Sequence, residues 1–286
     1  MRLAVLGSSG MLGSVVAEAL AENHEVVRWD RSSIGDVSQF GDDPKHLAKR
    51  LDLASFDYVV NGLGMVKNRI GENYPDSVKQ AVKVNSVFPH LLAQAAEISR
   101  SRVITVVTDC VYSGRQGKYV ESDPHDALDV YGKTKSLGES FSPTSMNLRI
   151  SFIGIGNSSP MLFDWVRSLP LGAQIEGYTD HIWNGATTQM VAKVIRGIAE
   201  ENLFEAGVQH LVPNYSLTKY ELVRDILDTL GRHDVTLTPV VAGKVDRSLS
   251  TENSTRNEQL WNAGLGQIPS SIRPALSKLV SEIGRD

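Results

Sequence analysis

Short β-branched runs alternate with longer stretches whose apolar residues recur every three or four positions through the first half of the chain. "LAVL" (residues 3–6) reads as a buried strand, followed by a glycine turn and the helical "SVVAEALAEN". "EVVRWD" (25–30) is a second strand, "PKHLAKRLDLA" a second helix and "DYVVNGLG" (57–64) a third strand. A helical pattern covers residues 77–99, and two further strands follow in "RVITVVT" (102–108) and "NLRISFI" (147–153). Strands that lack polar alternation and are separated by helices predict a parallel sheet covered on both faces, joined by right-handed crossovers.

After about Gly154 the pattern loosens. "GIGNSSP" reads as a loop. Helices over residues 161–168, 187–200 and 216–230 then mix with short strands such as "GVQHLV", and "SSIRPALSKLVSEIG" forms a closing helix with Pro274 near its first turns. The expected class is α/β. A doubly wound domain occupies residues 1–155 and a smaller mixed lobe residues 156–286, with part of 186–213 returning to the main sheet.

Composition narrows the function. A net charge of -4 and a pI near 6.0, with no dense Lys/Arg run, argue against nucleic-acid binding. No apolar stretch approaches a membrane span, and "MRLAVLGSSG" meets its glycine turn too early for a signal peptide. The single cysteine, Cys110, rules out an intrachain disulfide and fits a reducing cytoplasm. No CxxC, HExxH or His/Cys cluster suggests a metal.

Candidate chemistry sits at two places. "GSSGMLG" sets Gly7, Gly10 and Gly13 three apart, directly between a strand and an amphipathic helix. A dinucleotide pyrophosphate needs such a tight turn to approach a helix N-terminus, so the half-chain reads as Rossmann-type. Asp30 ends the next strand, where an acid can bind ribose hydroxyls; Arg31 beside it suits a 2′-phosphate, so NAD and NADP both stay open. In "DVYGKTKSLGE" (129–139), Tyr131 and Lys135 are four apart on one helical face. A phenol needs a neighbouring cation to serve as an acid–base near neutral pH, and Thr108 at the end of "RVITVVT" supplies a matching hydroxyl.

With "GSSGMLG", "VNGLG", "VNSVFPHLLAQAA", "TDCVYSG", "GKYVESDPHDALDVYGKTKSLGE" and "LRIS" in order over roughly the first 155 residues, the chain resembles the extended short-chain dehydrogenase/reductases. Within them it is most similar to the dTDP-4-dehydrorhamnose reductase group of nucleotide-sugar and polysaccharide biosynthesis. The resemblance implies a reductase of a 4-keto-deoxy sugar nucleotide that uses NADPH or NADH, in which Thr108 binds the substrate oxygen and Tyr131 donates the proton. Lys135 would hold the cofactor ribose and lower the tyrosine pKa. It also implies that Ser9, Met11 and Leu12 join the glycines at the cofactor phosphates, and that Asp36 and Val37 flank the adenine. Asn61, Gly62, Leu63 and Gly64 would line the nicotinamide half, and Asn85 would support the active-site backbone or a water. A homodimer is the family-style assembly.

Two departures bear on the sugar. Cys110 stands where the group commonly has tyrosine, and Ile150-Ser151-Phe152 replaces an expected Thr-Ser-Trp. Substrate-side candidates are Lys67, Cys110, Trp183 and Arg247, each also readable as a structural or solvated residue. Tyr178, His181 and Asn184 lie in the same "YTDHIWNG" run. Arg149, ending a strand, reads as a structural ion-pair partner. Other readings are a nucleotide-sugar epimerase, or a non-catalytic dinucleotide-binding subunit like the β-subunit of methionine adenosyltransferase. A dehydratase is disfavoured because no glutamate follows Asp109.

Overall fold

The computed structural model describes residues 1–156 and 161–283. Its strands are β1 (Arg2–Leu6), β2 (Glu25–Trp29), β3 (Tyr58–Asn61), β4 (Arg102–Val107), β5 (Ser145–Arg149), β6 (Phe152–Ile153), β7 (Gln174–Tyr178), β8 (His181–Trp183), β9 (Ala186–Thr187), β10 (Gly207–His210), β11 (Leu217–Thr218), β12 (Thr236–Val240) and β13 (Val245–Asp246). The α-helices are α1 (Met11–Ala21), α2 (Arg31–Ile34), α3 (Pro44–Arg50), α4 (Pro75–Val82), α5 (Phe88–Ser99), α6 (Val130–Leu137), α7 (Leu162–Arg167), α8 (Thr188–Glu200), α9 (Lys219–Thr229), α10 (Ser254–Leu265) and α11 (Arg273–Ile283).

Six strands form one parallel sheet in the order β10-β5-β4-β3-β1-β2. Alternate residues of each strand feed two cores, as a sheet covered on both faces requires. Leu3, Val5, Val60 and Ile104 meet Val16 and Leu20 of α1, Val191 and Ile195 of α8 and Trp261 of α10. Ala4, Leu6, Val59 and Val103 meet Leu47 of α3 and Phe88, Leu92 and Ala96 of α5. The strand order reverses between β1 and β3, so the loops leaving Leu6 and Asn61 open a crevice at the carboxyl edge. The segment after α8 re-enters the sheet, with Gly207–His210 pairing parallel to β5.

A third core under the other lobe gathers Phe163, Trp183, Leu222, Ile226, Leu276 and Leu279 from α7, β8, α9 and α11. Several boundaries differ from the sequence pattern. The expected strand over 147–153 splits, because Ile153 and Phe152 pair with β9 while the Ser151 carbonyl accepts the Ala186 N–H. The expected second helix stops at Arg50, before Asp52 turns left-handed at φ 48°. Residues 216–218 precede α9 as an extended segment, with Thr218 as its cap. Residues 157–160 of the expected "GIGNSSP" loop and Gly284 of the closing helix lie outside the described residues.

The helix expected over 77–99 runs from Pro75 to Ser99 but contains a π-turn at Lys83–Val87. Pro89 has no N–H to give the Asn85 carbonyl four residues earlier, which frees that carbonyl and widens the turn. Gly138 occupies the space so created, where a Cβ would overlap the Asn85 carbonyl oxygen.

Candidate active site

Gly7 leaves β1 with φ +77°, in the left-handed region that favours glycine. The N–H groups of Gly7 and Ser8 both donate to the Trp29 carbonyl, at 2.8 and 3.2 Å. α1 then starts with Gly10 as its cap and no side-chain cap hydrogen bond, leaving first-turn amides available to an anion. A Cβ on Gly13 would overlap the Gly7 carbonyl oxygen, so the third glycine lets α1 seat against the turn. Leu12 points into the sheet core.

A groove of about 430 Å³ opens here. Gly7, Ser9 and Gly10 form one wall, Asp30, Arg31, Asp36 and Val37 a second, and Gly62, Leu63 and Gly64 a third. Met11, Leu12, Gly13, Asn61 and Asn85 are not on its lining. Trp29, Met65 and Gln80 are lining residues outside the quoted motifs, and Val84 opens "VNSVFPHLLAQAA" without being a candidate site residue. Asp30 caps the one-turn α2, its Oδ1 accepting from Ser32 N–H at 2.9 Å, Ser32 Oγ at 2.6 Å and Ser33 N–H at 3.0 Å. Those bonds, the Ser32 hydroxyl first, hold its carboxyl below the usual range. Arg31 is highly exposed and pairs with Asp36 at 3.3 Å.

The residues present fit a dinucleotide. The groove has a glycine cradle at a helix N-terminus and an ionised acid at the end of β2. Beside its third wall, the buried Asn61 Nδ2 has no hydrogen-bond partner among the described residues, while Asn61 Oδ1 accepts the Leu63 N–H at 3.2 Å. Asn85, on the π-turn, clamps the loop beyond. Its Oδ1 accepts the Met65 N–H at 2.8 Å, and its Nδ2 donates to Met65 O and Thr134 Oγ1, both at 3.0 Å.

Thr108 ends β4 and is buried; its Oγ1 donates to Asp109 Oδ1 and accepts the Cys110 N–H, each at 3.1 Å. α6 starts at Asp129, whose Oδ1 accepts the Gly132 N–H at 2.8 Å and whose Oδ2 pairs with Lys67 Nζ at 2.7 Å. Gly132 has no room for a Cβ beside the Cys110 carbonyl. That close approach sets α6 against the Thr108–Cys110 turn and carries Tyr131 to Thr108. One turn on, buried Lys135 donates to the Val106 carbonyl at 3.3 Å. A Cβ built on Gly64 would lie 3.7 Å from Asn85 Oδ1 and 3.9 Å from Lys135 Nζ, so the groove's third wall runs into this cluster.

The electrostatics differ from the expected lowering of the tyrosine pKa. Burial lifts the Tyr131 phenol well above its ordinary value, Cys110, Asp109 and Asp129 add to this, and the Thr108 hydroxyl opposes. Burial also pulls the Lys135 ammonium down to about 8, against the attraction of Glu139. Both groups are desolvated, and the lysine's hydrogen bond goes to a backbone carbonyl.

The substrate-side candidates separate. Lys67 is mostly exposed and tied to Asp129. Cys110 lies beside Thr108 with its thiol pushed up to about 12, by burial and then by Asp109, so it stays a thiol. Trp183 is buried in the third core and its indole N–H donates to Ser151 Oγ at 2.8 Å. Arg247 Nε donates to the Tyr112 carbonyl at 2.9 Å. Asn184 spends both ends of its amide on the Leu249 backbone. Arg149 pairs with Glu139 through Nε and Nη2 at 2.7 and 2.6 Å and also reaches Tyr112 and His210.

Sequence reasoning missed Lys219. The antiparallel pairing of Leu217 and Thr218 with Trp183 and Ile182 delivers it to the Trp183 ring, with its Nζ 5.3 Å from the centroid. Its only sequence signal is the capping box from Thr218 to Glu221, which marks a helix start and nothing more.

A family profile described as the RmlD substrate binding domain matches residues 1–285. Among curated relatives, a dTDP-4-dehydrorhamnose reductase of Aggregatibacter actinomycetemcomitans is 28% identical over 79% of this chain and 78% of its own length. The methionine adenosyltransferase 2 subunit beta of Bos taurus is 25% identical over 93% of this chain and 83% of its own. The structure of a dTDP-4-dehydrorhamnose reductase from Bacillus anthracis, in complex with NADP, shares the fold with a TM-score of 0.79 at 18% identity, covering 98% of this chain and 99% of that one.

Proposed function

Because the chain belongs to the RmlD substrate binding domain family, we propose that it is an NAD(P)H-dependent reductase of a 4-keto-deoxy sugar nucleotide. The observation that carries this reading is the convergence of Thr108, Tyr131 and Lys135 at the end of the Gly62–Gly64 wall. The curated relative named dTDP-4-dehydrorhamnose reductase supports the substrate class.

When bound, the reduced nicotinamide supplies a hydride for the sugar's carbonyl carbon. The protein's own residues handle the oxygen. Thr108, held by the Cys110 N–H that its Oγ1 accepts, turns its hydroxyl proton from Asp109 to that oxygen when the substrate binds. Tyr131 hands over the proton. A proton donor must be protonated beforehand, and burial of the phenol ensures this at any physiological pH. Lys135, one helical turn away, offers its ammonium to the cofactor ribose and stabilises the phenolate left behind. Asn85 keeps the Met65 backbone, and with it the groove's third wall, in place.

Among the described residues no helix is long and apolar enough to cross a membrane. A homodimer working in the cytoplasm completes the proposal, and sedimentation at micromolar concentration tests the assembly. For the activity, purified protein is mixed with NADPH or NADH and a panel of 4-keto-6-deoxy nucleotide sugars, following loss of reduced-nicotinamide absorbance. Consumption that depends on one sugar supports the reading. A protein that binds the cofactor and consumes none across the panel overturns it.

A further inference from the structure

Lys219 is placed where a lysine is costly. It is the first residue of α9, and a cation at a helix N-terminus opposes the helix dipole. It is partly buried, and desolvation pulls its ammonium below the ordinary lysine value. Arg247 adds like-charge repulsion. Among the described residues its ammonium makes no hydrogen bond and no salt bridge. What favours the charge is the face of Trp183, 5.3 Å away, and the field of the Asp109 carboxylate.

Those neighbours locate it. Thr218 and Asp246 both pair with Ile182, which brings Lys219 and Arg247, the residues that follow them, to the same strand, and Arg247 Nε donates to the carbonyl of Tyr112, four residues after Thr108. Lys219 therefore stands across from the residues that hold the carbonyl. Charges that lower stability and lack a partner are retained at sites that act on a ligand. Trp183 fixes the direction of the ammonium, since its own indole is locked by Ser151 and the third core.

We propose that Lys219 is a substrate-binding and specificity-determining residue whose ammonium, beside Arg247, receives an oxyanion of the substrate next to the carbonyl held at Thr108. This rests on the nucleotide-sugar reading and narrows it. Two parts of such a substrate carry that chemistry, the diphosphate bridge and an acidic group on the sugar. The proposal gives Lys219 no part in hydride or proton transfer; it tunes which sugar nucleotide is held.

The test is calorimetric binding of UDP, dTDP, UDP-glucose and UDP-glucuronic acid to wild type, Lys219→Met and Lys219→Arg, each saturated with NADPH. Losing one charge-assisted hydrogen bond predicts an affinity drop of about ten- to hundredfold in Lys219→Met, with most of it restored in Lys219→Arg. A drop shared by all four ligands assigns the diphosphate; a drop confined to UDP-glucuronic acid assigns the sugar's acidic group. Equal affinities of wild type and Lys219→Met for every ligand overturn the inference and leave the reductase reading standing. Lysine-dependent affinity in a wild type that reduces no keto sugar overturns the reductase reading and leaves the inference standing. NADPH affinity unchanged in Lys219→Met shows that the variant is folded.

Discussion

Replacing Lys135 with Met should stabilise the protein while disabling it. Lys135 is only 6% exposed and its pKa falls from 10.5 to about 8. At about 1.4 kcal/mol per pH unit, keeping this lysine charged costs the folded state about 3 kcal/mol at neutral pH. The attraction of Glu139 is already contained in that shift, and losing the hydrogen bond to the Val106 carbonyl gives back roughly 1–2 kcal/mol. A methionine fills similar volume without the charge, so Lys135→Met should gain about 1–2 kcal/mol at pH 7, raising Tm by about 2–3 °C. The sign with pH is set by the lowered pKa of a base. Between about 8 and 10.5 the unfolded chain binds more protons than the folded one, so wild-type stability rises through that window. The variant lacks this rise, and the gap between the two should close by about pH 10. Urea or thermal unfolding at pH 7, 8.5 and 10 measures it, beside a turnover assay expected to fall about a hundredfold or more. A variant less stable than wild type at pH 7, or a gap that ignores pH, would refute the desolvation argument.

Three further outcomes follow from the same geometry. Tyr131→Phe should lower turnover by about 10²–10⁴-fold while leaving NADPH affinity within about threefold; undiminished turnover removes the tyrosine from the chemistry. Gly138→Ala places a methyl on the Asn85 carbonyl and should cost about 1–3 kcal/mol in urea unfolding, with lower turnover; a neutral result would mean the π-turn yields easily. Glu139→Ala strands the buried Arg149 guanidinium and should cost about 3–5 kcal/mol, whereas a surface pair would barely register; a loss under 1 kcal/mol contradicts the burial described.

What the sequence discloses depends on how locally each feature is made. The glycine turn, the buried strands and Tyr131 with Lys135 are each set by residues within one or two turns, so periodicity and spacing reveal them. Asp30 was found as an acid at a strand end, but its capping of α2 with Ser32 and Ser33 was not, because a single helical turn leaves no periodic trace. Lys219 becomes part of the site only through β11 pairing with β8, a contact between segments more than thirty residues apart that no local pattern encodes. Trp183 shows the converse. In sequence an aromatic among Tyr, His and Asn suits a sugar, yet the packing of α9 and α11 around it makes it a wall of the core that supports a cation instead. The direction of the Tyr131 shift was missed for a related reason, since charge spacing along a helix says nothing of how dry its surroundings are.

The missing N–H of Pro89 has a reach beyond its own turn. A π-turn holds one residue more than regular winding would, which advances the phase of everything after it by about 100° around the helix axis. Upstream of it the helix lines the dinucleotide groove through Gln80, joined by Val84 at the start of the turn itself. Downstream it fills the hydrophobic core through Leu92 and Ala96. One rod thus serves two partners lying in different directions, and a ring on a single backbone nitrogen reconciles their bearings. The groove and the core beneath it are geared together through that offset, so the helix cannot be re-indexed to suit one without turning it away from the other.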